Sequence, residues 1–182
     1  MYDYDNAPER DLIRRARRGD AKAFARLYSD IYRDLYRFAL CMLRHPQEAE
    51  DAVSEAVIAA YENLSSLRKE SSFKSWIFTI LNNECRRARM KRSRERKITD
   101  DADTYPGAAA AGGAEPDYAQ REDIRRALEL LDEEERMIVA FSVFGGYRSS
   151  EIAEMLNKNA SSVRSRKKRA LEKMRVSLGS TV

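Results

Sequence analysis

Apolar side chains in the first half of this chain recur at steps of three and four residues, which places them on one face of an α-helix. One such stripe runs from Phe24 to Met42, and Asp20 stands before it as a residue that caps helix starts. Arg44-His45-Pro46 interrupts the stripe, and proline suits the first turn of a following helix because its missing N–H costs nothing there. The pattern predicts two long helices on either side of this interruption, after a short one from Glu9 to Arg18.

The helix after the interruption is expected to reach about Leu64. Its predicted inner face consists of Ala49, Ala52, Val53, Ala56, Val57, Ala60 and Tyr61. Ser65 to Ser72 is expected to be a polar loop, and Ser71 or Ser72 can cap a fourth helix from Phe73 to about Lys97. That helix begins apolar and becomes strongly basic after Asn83.

The residues from Ile98 to Asp117 break the helical pattern. They contain two prolines, three glycines, an alanine run and several acids, with hardly any large apolar side chain. This composition is typical of a flexible linker. The chain is therefore expected to be all-α, with two small helical domains, 1–97 and 118–182, joined by a flexible linker at 98–117.

Helical periodicity resumes after the linker. Two stripes are expected to line the second core, Ile124, Ala127, Leu128 and Leu131 followed by Met137, Ile138, Phe141 and Phe144. Asp132 can cap the helix that carries the second stripe, and Gly145-Gly146 is expected to end it.

The stretch from Ser149 to Met174 has the pattern of two short helices joined by a tight turn. Asn157 tolerates a left-handed backbone in the turn, and Asn159 can cap the second helix by accepting a hydrogen bond from the N–H of Ser161 or Ser162. The expected inner side of that helix is Val163, Ala170, Leu171 and Met174. Its expected outer side is Arg164, Ser165, Lys168 and Arg169. The pattern favours a DNA-reading helix-turn-helix over a helical hairpin with a solvated basic face.

Charge is distributed in blocks that the small net charge of +4 conceals. Between Arg86 and Lys97 there are eight basic residues and one acid, Glu95. Cations near a helix end suit the helix dipole, but eight in twelve positions exceed that need. The block indicates a surface that binds nucleic acid, where arginines hold phosphates and neighbouring aromatic and amide side chains contact unpaired bases.

Other chemistry is sparse in this sequence. Cys41 and Cys85 fall in separate predicted helices and are expected to be buried thiols in a reducing cytoplasm. With His45 as the single histidine, the sequence offers no clustered metal ligands, and we expect neither a cofactor nor an enzyme. No apolar run approaches the roughly 20 residues that span a bilayer, and the acidic N-terminus is unlike a signal peptide, so no membrane insertion is expected.

Three passages, in order, resemble the extracytoplasmic-function sigma factors, the two-domain bacterial transcription initiation factors. EAEDAVSEAV at 48–57 is similar to the family's polymerase-docking helix, and FKSWIFTILNNECRRARMKR at 73–92 to the segment that opens and reads the promoter −10 element. ALELLDEEERMIVAFSVFGGYRSSEIAEMLNKNASSVRSRKKRALEKM at 127–174 is similar to the domain that reads the −35 element. The resemblance covers nearly all of the chain outside the linker.

The resemblance implies a role for each surface. Asp51, Ser54 and Glu55 would face core RNA polymerase, although the family often has glutamine where Ser54 stands. The residues implied in −10 recognition and melting are Trp76, Asn83, Arg86, Arg87 and Lys91. Those implied in contacts with the −35 duplex are Ser161, Arg164, Ser165, Lys168 and Arg169. It also implies an anti-sigma factor as a partner. The lack of a membrane span and of a signal peptide, noted above, leads us to expect a cytoplasmic location.

Three other functions are compatible with parts of the sequence. A stand-alone helix-turn-helix regulator would explain the second domain but would leave the basic helix of the first unexplained, and polymerase binding separates the two. A DNA-cleaving enzyme would require divalent metal, and the acids near Glu48 are scattered around their helix. An adaptor that only bridges proteins would show no promoter preference.

Overall fold

The computed structural model describes residues 2–67, 73–98 and 118–179. Within these ranges the chain forms eight α-helices and one short 3-10 helix, with no β-strand. It divides into two compact units, Met1–Gly107 and Ala108–Val182. The predicted caps at Ser71 or Ser72, and the predicted linker beyond Ile98, lie outside the described residues. Among those described, no helix has both the length and the apolar character needed to cross a bilayer.

The first unit contains four of the α-helices: α1 (Glu9–Ala16), α2 (Ala21–Leu43), α3 (Pro46–Glu62) and α4 (Phe73–Ile98). Asp20 caps α2 as predicted, since its side chain accepts a hydrogen bond from the N–H of Ala23. Arg44 adopts a left-handed conformation with φ of 60°, which ends α2 and lets Pro46 open α3. The 3-10 helix Leu64–Ser66 occupies the start of the stretch predicted to be a loop.

The core of the first unit lies between α2, α3 and α4. Phe38 of α2 meets Phe78 of α4 edge to face, with ring centroids 5.4 Å apart, and both side chains are fully buried. Four alanines of α3 are also buried, which permits close helix packing as predicted: Ala49, Ala52, Ala56 and Ala60. The prediction for Tyr61 is wrong: its ring packs against that of Phe24 with centroids 5.1 Å apart, but the residue stays 44% exposed.

Cys41 and Cys85 are buried in this core as thiols, and no disulfide joins them. Burial raises the pKa of the Cys85 thiol to about 12, and the nearby Glu84 carboxylate adds to the shift. The folded protein therefore keeps Cys85 as the neutral thiol. As the pH rises above the ordinary thiol pKa of about 8.5, only the unfolded state loses this proton, so the free energy of unfolding falls.

We expect iodoacetamide at pH 8 to alkylate Cys85 roughly a thousandfold more slowly in the native protein than in the denatured one, since only the thiolate reacts. Mass spectrometry of quenched samples measures both rates. Native labelling as fast as denatured labelling would contradict the buried placement.

The second unit contains the other four α-helices: α5 (Tyr118–Glu129), α6 (Glu133–Val143), α7 (Ser149–Leu156) and α8 (Ala160–Gly179). Asp132 caps α6 as predicted. Its side chain accepts from the N–H of Glu135 at 2.8 Å, while the Glu135 carboxylate accepts from the N–H of Asp132 at 3.1 Å. The core draws on all four helices and includes Ala127, Ile138, Phe141, Ile152 and Val163.

Two residues predicted to lie in this core are exposed. Leu171 of α8 is 39% exposed because it points about 90° away from the direction shared by Val163 and Ala170. Ile124 of α5 shares a face with Leu131 but is 47% exposed. Helical spacing identifies the apolar face of Ile124, whereas its burial depends on whether another element covers that part of the helix.

Candidate nucleic-acid interfaces

The turn between α7 and α8 has the geometry that the sequence predicts. Asn157 is left-handed, with φ of 52° and ψ of 49°, and the N–H of Lys158 donates to the carbonyl of Ala153 at 2.8 Å. The Asn159 side chain accepts from the backbone N–H of Ser161 at 2.8 Å and from the Ser161 hydroxyl at 2.8 Å. These local bonds define the angle at which α8 leaves the turn.

The outer side of α8 presents hydroxyls and cations to solvent. Ser161, Arg164, Ser165 and Lys168 are all exposed and lie within an arc of about 100° on the helix. Among the described residues, Arg164 forms no ion pair. Arg169 is exposed too, but it lies at the edge of this arc, in a shallow groove beside Leu130 and Val176.

Three other cations of the helix-turn-helix form ion pairs with carboxylates at the start of α6. Lys158 binds Glu134 at 2.9 Å, and Arg166 binds Glu134 at 3.0 Å and Asp132 at 3.4 Å. Lys173 binds both carboxylate oxygens of the buried Glu135, at 2.7 and 2.8 Å. The basic composition of α8 alone did not separate these cations from the outward ones.

The same contacts set the electrostatics of Asp132. The backbone N–H of Glu135 lowers the pKa of this carboxyl most. Burial opposes this effect, and the Arg166 guanidinium lowers the pKa further, so that the pKa lies below its ordinary value. Asp132 is therefore a stable anion that serves both as a helix cap and as a partner of α8.

The first unit presents a second cationic surface along α4. Trp76, Asn83, Arg86, Arg87 and Lys91 share one side of this helix, within an arc of about 140°. Asn83 and the three cations are exposed, whereas Trp76 is half-buried with its ring 6.3 Å from that of Phe73. A large aromatic side chain and an exposed amide thus stand beside the basic end of the helix.

The cations of α4 differ in their availability. Arg87 binds Glu84 at 2.6 Å, whereas Arg86 has no ion-pair partner in the described part of the chain. Arg92 bridges to Glu48 of α3 at 3.2 Å and is only a quarter exposed. Arg92 therefore joins two helices, although the sequence alone counted it within the basic block.

The exposed face of α3 is acidic with one apolar residue. Asp51, Ser54 and Glu55 are all exposed, and the Ser54 hydroxyl donates to the carbonyl of Glu50 at 2.9 Å. Ile58 is 54% exposed and lies two turns from Asp51 on the same face. Ile58 was not predicted as part of this surface, and its signal in the sequence is one large apolar side chain on a polar helix face. Acids around an apolar centre are suited to a protein partner with a basic surface.

Two basic surfaces on separate helical units, one of them a helix-turn-helix, define a two-domain DNA-binding protein. The family description "Sigma-70 region 2" matches residues 27–95, and "Sigma-70, region 4" matches residues 121–174. Together these matches contain every residue of the three surfaces described above.

Curated relatives extend this likeness over most of the chain. SigM, an ECF RNA polymerase sigma factor of Mycobacterium tuberculosis, is 30% identical over 161 residues, which cover 88% of this chain and 80% of SigM. The RNA polymerase sigma-H factor of Pseudomonas aeruginosa is 29% identical over 174 residues, 90% of each chain. The chain belongs to the extracytoplasmic-function sigma factors, which bind core RNA polymerase and direct transcription initiation.

A solved structure agrees with this assignment. The sigma factor RpoE from Bartonella quintana, crystallised in complex with the anti-sigma factor NepR, matches with a TM-score of 0.74 and 25% identity. The match covers 87% of this chain and 98% of RpoE. The stand-alone regulator, which would have no polymerase contact, is not favoured by these relatives.

Proposed function

We propose that this sigma factor divides its work among the three surfaces. The exposed face of α3, with Asp51, Ser54, Glu55 and Ile58, docks on core RNA polymerase. The side of α4 with Trp76, Asn83, Arg86, Arg87 and Lys91 recognises and melts the −10 element. The outer side of α8 contacts the −35 duplex through Ser161, Arg164, Ser165, Lys168 and Arg169.

The observation that carries the proposal is the distribution of side chains on α4. Binding to a DNA duplex without regard to its sequence needs only cations that hold phosphates. This helix adds the exposed amide of Asn83 and the half-buried ring of Trp76 on the same side as its cations. Amides can hydrogen-bond the edges of unpaired bases, and aromatic rings can stack on them. The surface is therefore suited to single-stranded DNA, as promoter melting requires.

The outer side of α8 fits duplex DNA instead. Arginine and lysine pair with guanine edges and with phosphates, and serine can hydrogen-bond either bases or phosphates. Two modest DNA contacts on one polymerase strengthen each other through effective concentration. In this proposal residues 1–97 form the −10 and docking domain, residues 118–182 form the −35 domain, and residues 98–117 link them flexibly.

An anti-sigma factor is proposed as the regulatory partner. This proposal is supported by the Bartonella quintana relative, whose solved structure holds an anti-sigma factor. Binding over either DNA surface would prevent initiation. We further propose that the chain acts in the cytoplasm, where polymerase and DNA are, and that it has no catalytic activity or cofactor of its own.

Transcription in vitro with core RNA polymerase and a genomic fragment library tests the proposal. We expect transcripts whose start sites share two upstream motifs. The Asn83→Ala variant is expected to lose selection at the −10 motif, because the amide that reads the base edge is removed, with a loss of about 10-fold or more. Sequencing of the transcripts measures both effects.

The variant Asn63→Ala serves as the control, since Asn63 is an exposed asparagine at the end of α3 and is not among the residues proposed to read the −10 element. A chain that binds polymerase but selects no motif would be an adaptor. If core polymerase neither binds the chain nor starts specifically with it, the proposal fails.

A further inference from the structure

The start of α6 contacts the helix-turn-helix at three points. Asp132, Glu134 and Glu135 lie within four consecutive residues, and their carboxylates bind Lys158 in the turn and Arg166 and Lys173 on α8, at 2.7 to 3.4 Å. Glu135 is buried, and Glu134 and Arg166 are each about 30% exposed. Each ion pair therefore has at least one partner that is largely shielded from water, so it restrains geometry more strongly than a pair between two exposed side chains does.

Arg166 and Lys173, the two residues of α8 that pair with α6, define the rotation of α8 about its own axis. Arg166 and Lys173 are seven residues apart, so they lie within about 20° of each other on the helix and about 10 Å apart along it. The side chains of Ser161, Arg164, Ser165 and Lys168 point about 100 to 160° away from that of Arg166. The anchored side therefore lies opposite the outer side, and a rotation of α8 would shift both by the same angle.

We propose that Glu134 is a positioning residue for −35 recognition, which acts through Arg166 and Lys158 to set the rotation of α8. This inference rests on the proposed role of α8. Glu134 itself contacts no DNA. Its pairs with the turn and with Arg166 aim Arg164 and Lys168 at the groove, where specificity depends on side chains reaching base edges at defined angles.

The geometry favours positioning over a direct phosphate contact by Arg166. The guanidinium of Arg166 is 31% exposed and already shared between two carboxylates. A phosphate contact would require these pairs to break and would leave two acids near the DNA. The two possibilities predict opposite signs for removal of the Glu134 charge, which makes them separable.

The experiment uses holoenzyme assembled from core polymerase and Glu134→Gln, Arg166→Gln or the double variant. Each is titrated against the promoter found by transcription in vitro and against the same fragment with its −35 motif replaced, over a salt series. Glu154→Gln is the matched control: it removes the same charge from an exposed site on α7, and its side chain forms no ion pair within the described part of the chain.

We expect the ratio of the two affinities to fall roughly fivefold in each single variant and no further in the double variant, because the residues act as one network. The salt dependence should stay unchanged, since no phosphate contact is lost. Arg166→Lys, which keeps a cation near Glu134, should retain most of the ratio.

Several results would overturn the inference. Tighter binding of Glu134→Gln to both fragments with a steeper salt dependence would make Arg166 a phosphate contact that Glu134 masks. A loss that vanishes once the folded fraction is measured by circular dichroism would leave only a stabilising role. If the wild type prefers the promoter with its −35 motif and the variants show the same affinity ratio, the role of Glu134 is refuted while the proposed role of α8 stands. A wild-type holoenzyme that ignores the −35 replacement would refute the proposed role of α8 as well.

Discussion

Replacing Gly145 by alanine is expected to destabilise the second helical unit, so that it unfolds at a lower temperature, while the stability of the first unit is unchanged. A Cβ at this position would lie 2.5 Å from Cδ2 of Tyr147 and 2.7 Å from the carbonyl oxygen of Phe141. The Tyr147 ring cannot easily move away, because it is 7% exposed and packs edge to face on Phe141 at 5.2 Å. Overpacking of this kind costs about 1–3 kcal/mol, a large share of the stability of so small a unit.

The single tryptophan separates the two units experimentally. Trp76 lies in α4, so its fluorescence reports on the first unit, whereas far-ultraviolet circular dichroism reports on the helices of both. Thermal unfolding of Gly145→Ala should show an early loss of helical signal with the fluorescence transition unchanged. If both signals shift together, the units unfold as one.

Two other glycine-to-alanine substitutions serve as references for the stability of Gly145→Ala. Gly146 has φ of +72° with open space around it, so Gly146→Ala should cost about 1 kcal/mol through backbone strain alone. Gly179 lies in α8 with no atom near its Cβ position, so Gly179→Ala should be neutral or slightly stabilising. A Gly145→Ala variant as stable as Gly179→Ala would contradict the packing of Tyr147.

Reversing two charges on the exposed face of α3 is expected to abolish polymerase docking. The double variant Asp51→Arg/Glu55→Arg would set like charges against a basic partner surface, which costs several kcal/mol, or about 100-fold or more in affinity. Both side chains are exposed, and Asp51 accepts a hydrogen bond at 3.2 Å from the side chain of Gln47, which is exposed as well, so folding should be preserved. Fluorescence anisotropy of the labelled protein against core polymerase measures the affinity.

Glu9→Arg is the control, because it reverses an exposed acid on α1 rather than α3. It should bind polymerase nearly as wild type does. A double variant that binds as tightly as this control would refute the docking face, and initiation in vitro would then depend on another surface. If added salt weakens polymerase binding more in the wild type than in the double variant, the partner surface is basic.

The helices and their ends were largely predictable from sequence because short-range contacts determine them. Asp20, Asp132 and Asn159 cap their helices through bonds to N–H groups two or three residues ahead, and Asn157 turns the chain by its own backbone preference. The outward residues of α4 and α8 followed from helical spacing in the same way. Their roles in binding polymerase and DNA stay predictions.

Only the tertiary structure decided which charges are available and which apolar residues are covered. Arg92 pairs with Glu48, 44 positions away in sequence, and Arg166 pairs with Asp132, 34 positions away, while Arg86 and Arg164 face solvent. Tyr61, Ile124 and Leu171 fit apolar stripes but remain exposed. The physical reason is the same in each case. Periodicity specifies the direction of a side chain from its own helix, whereas its partner depends on which other helix packs there.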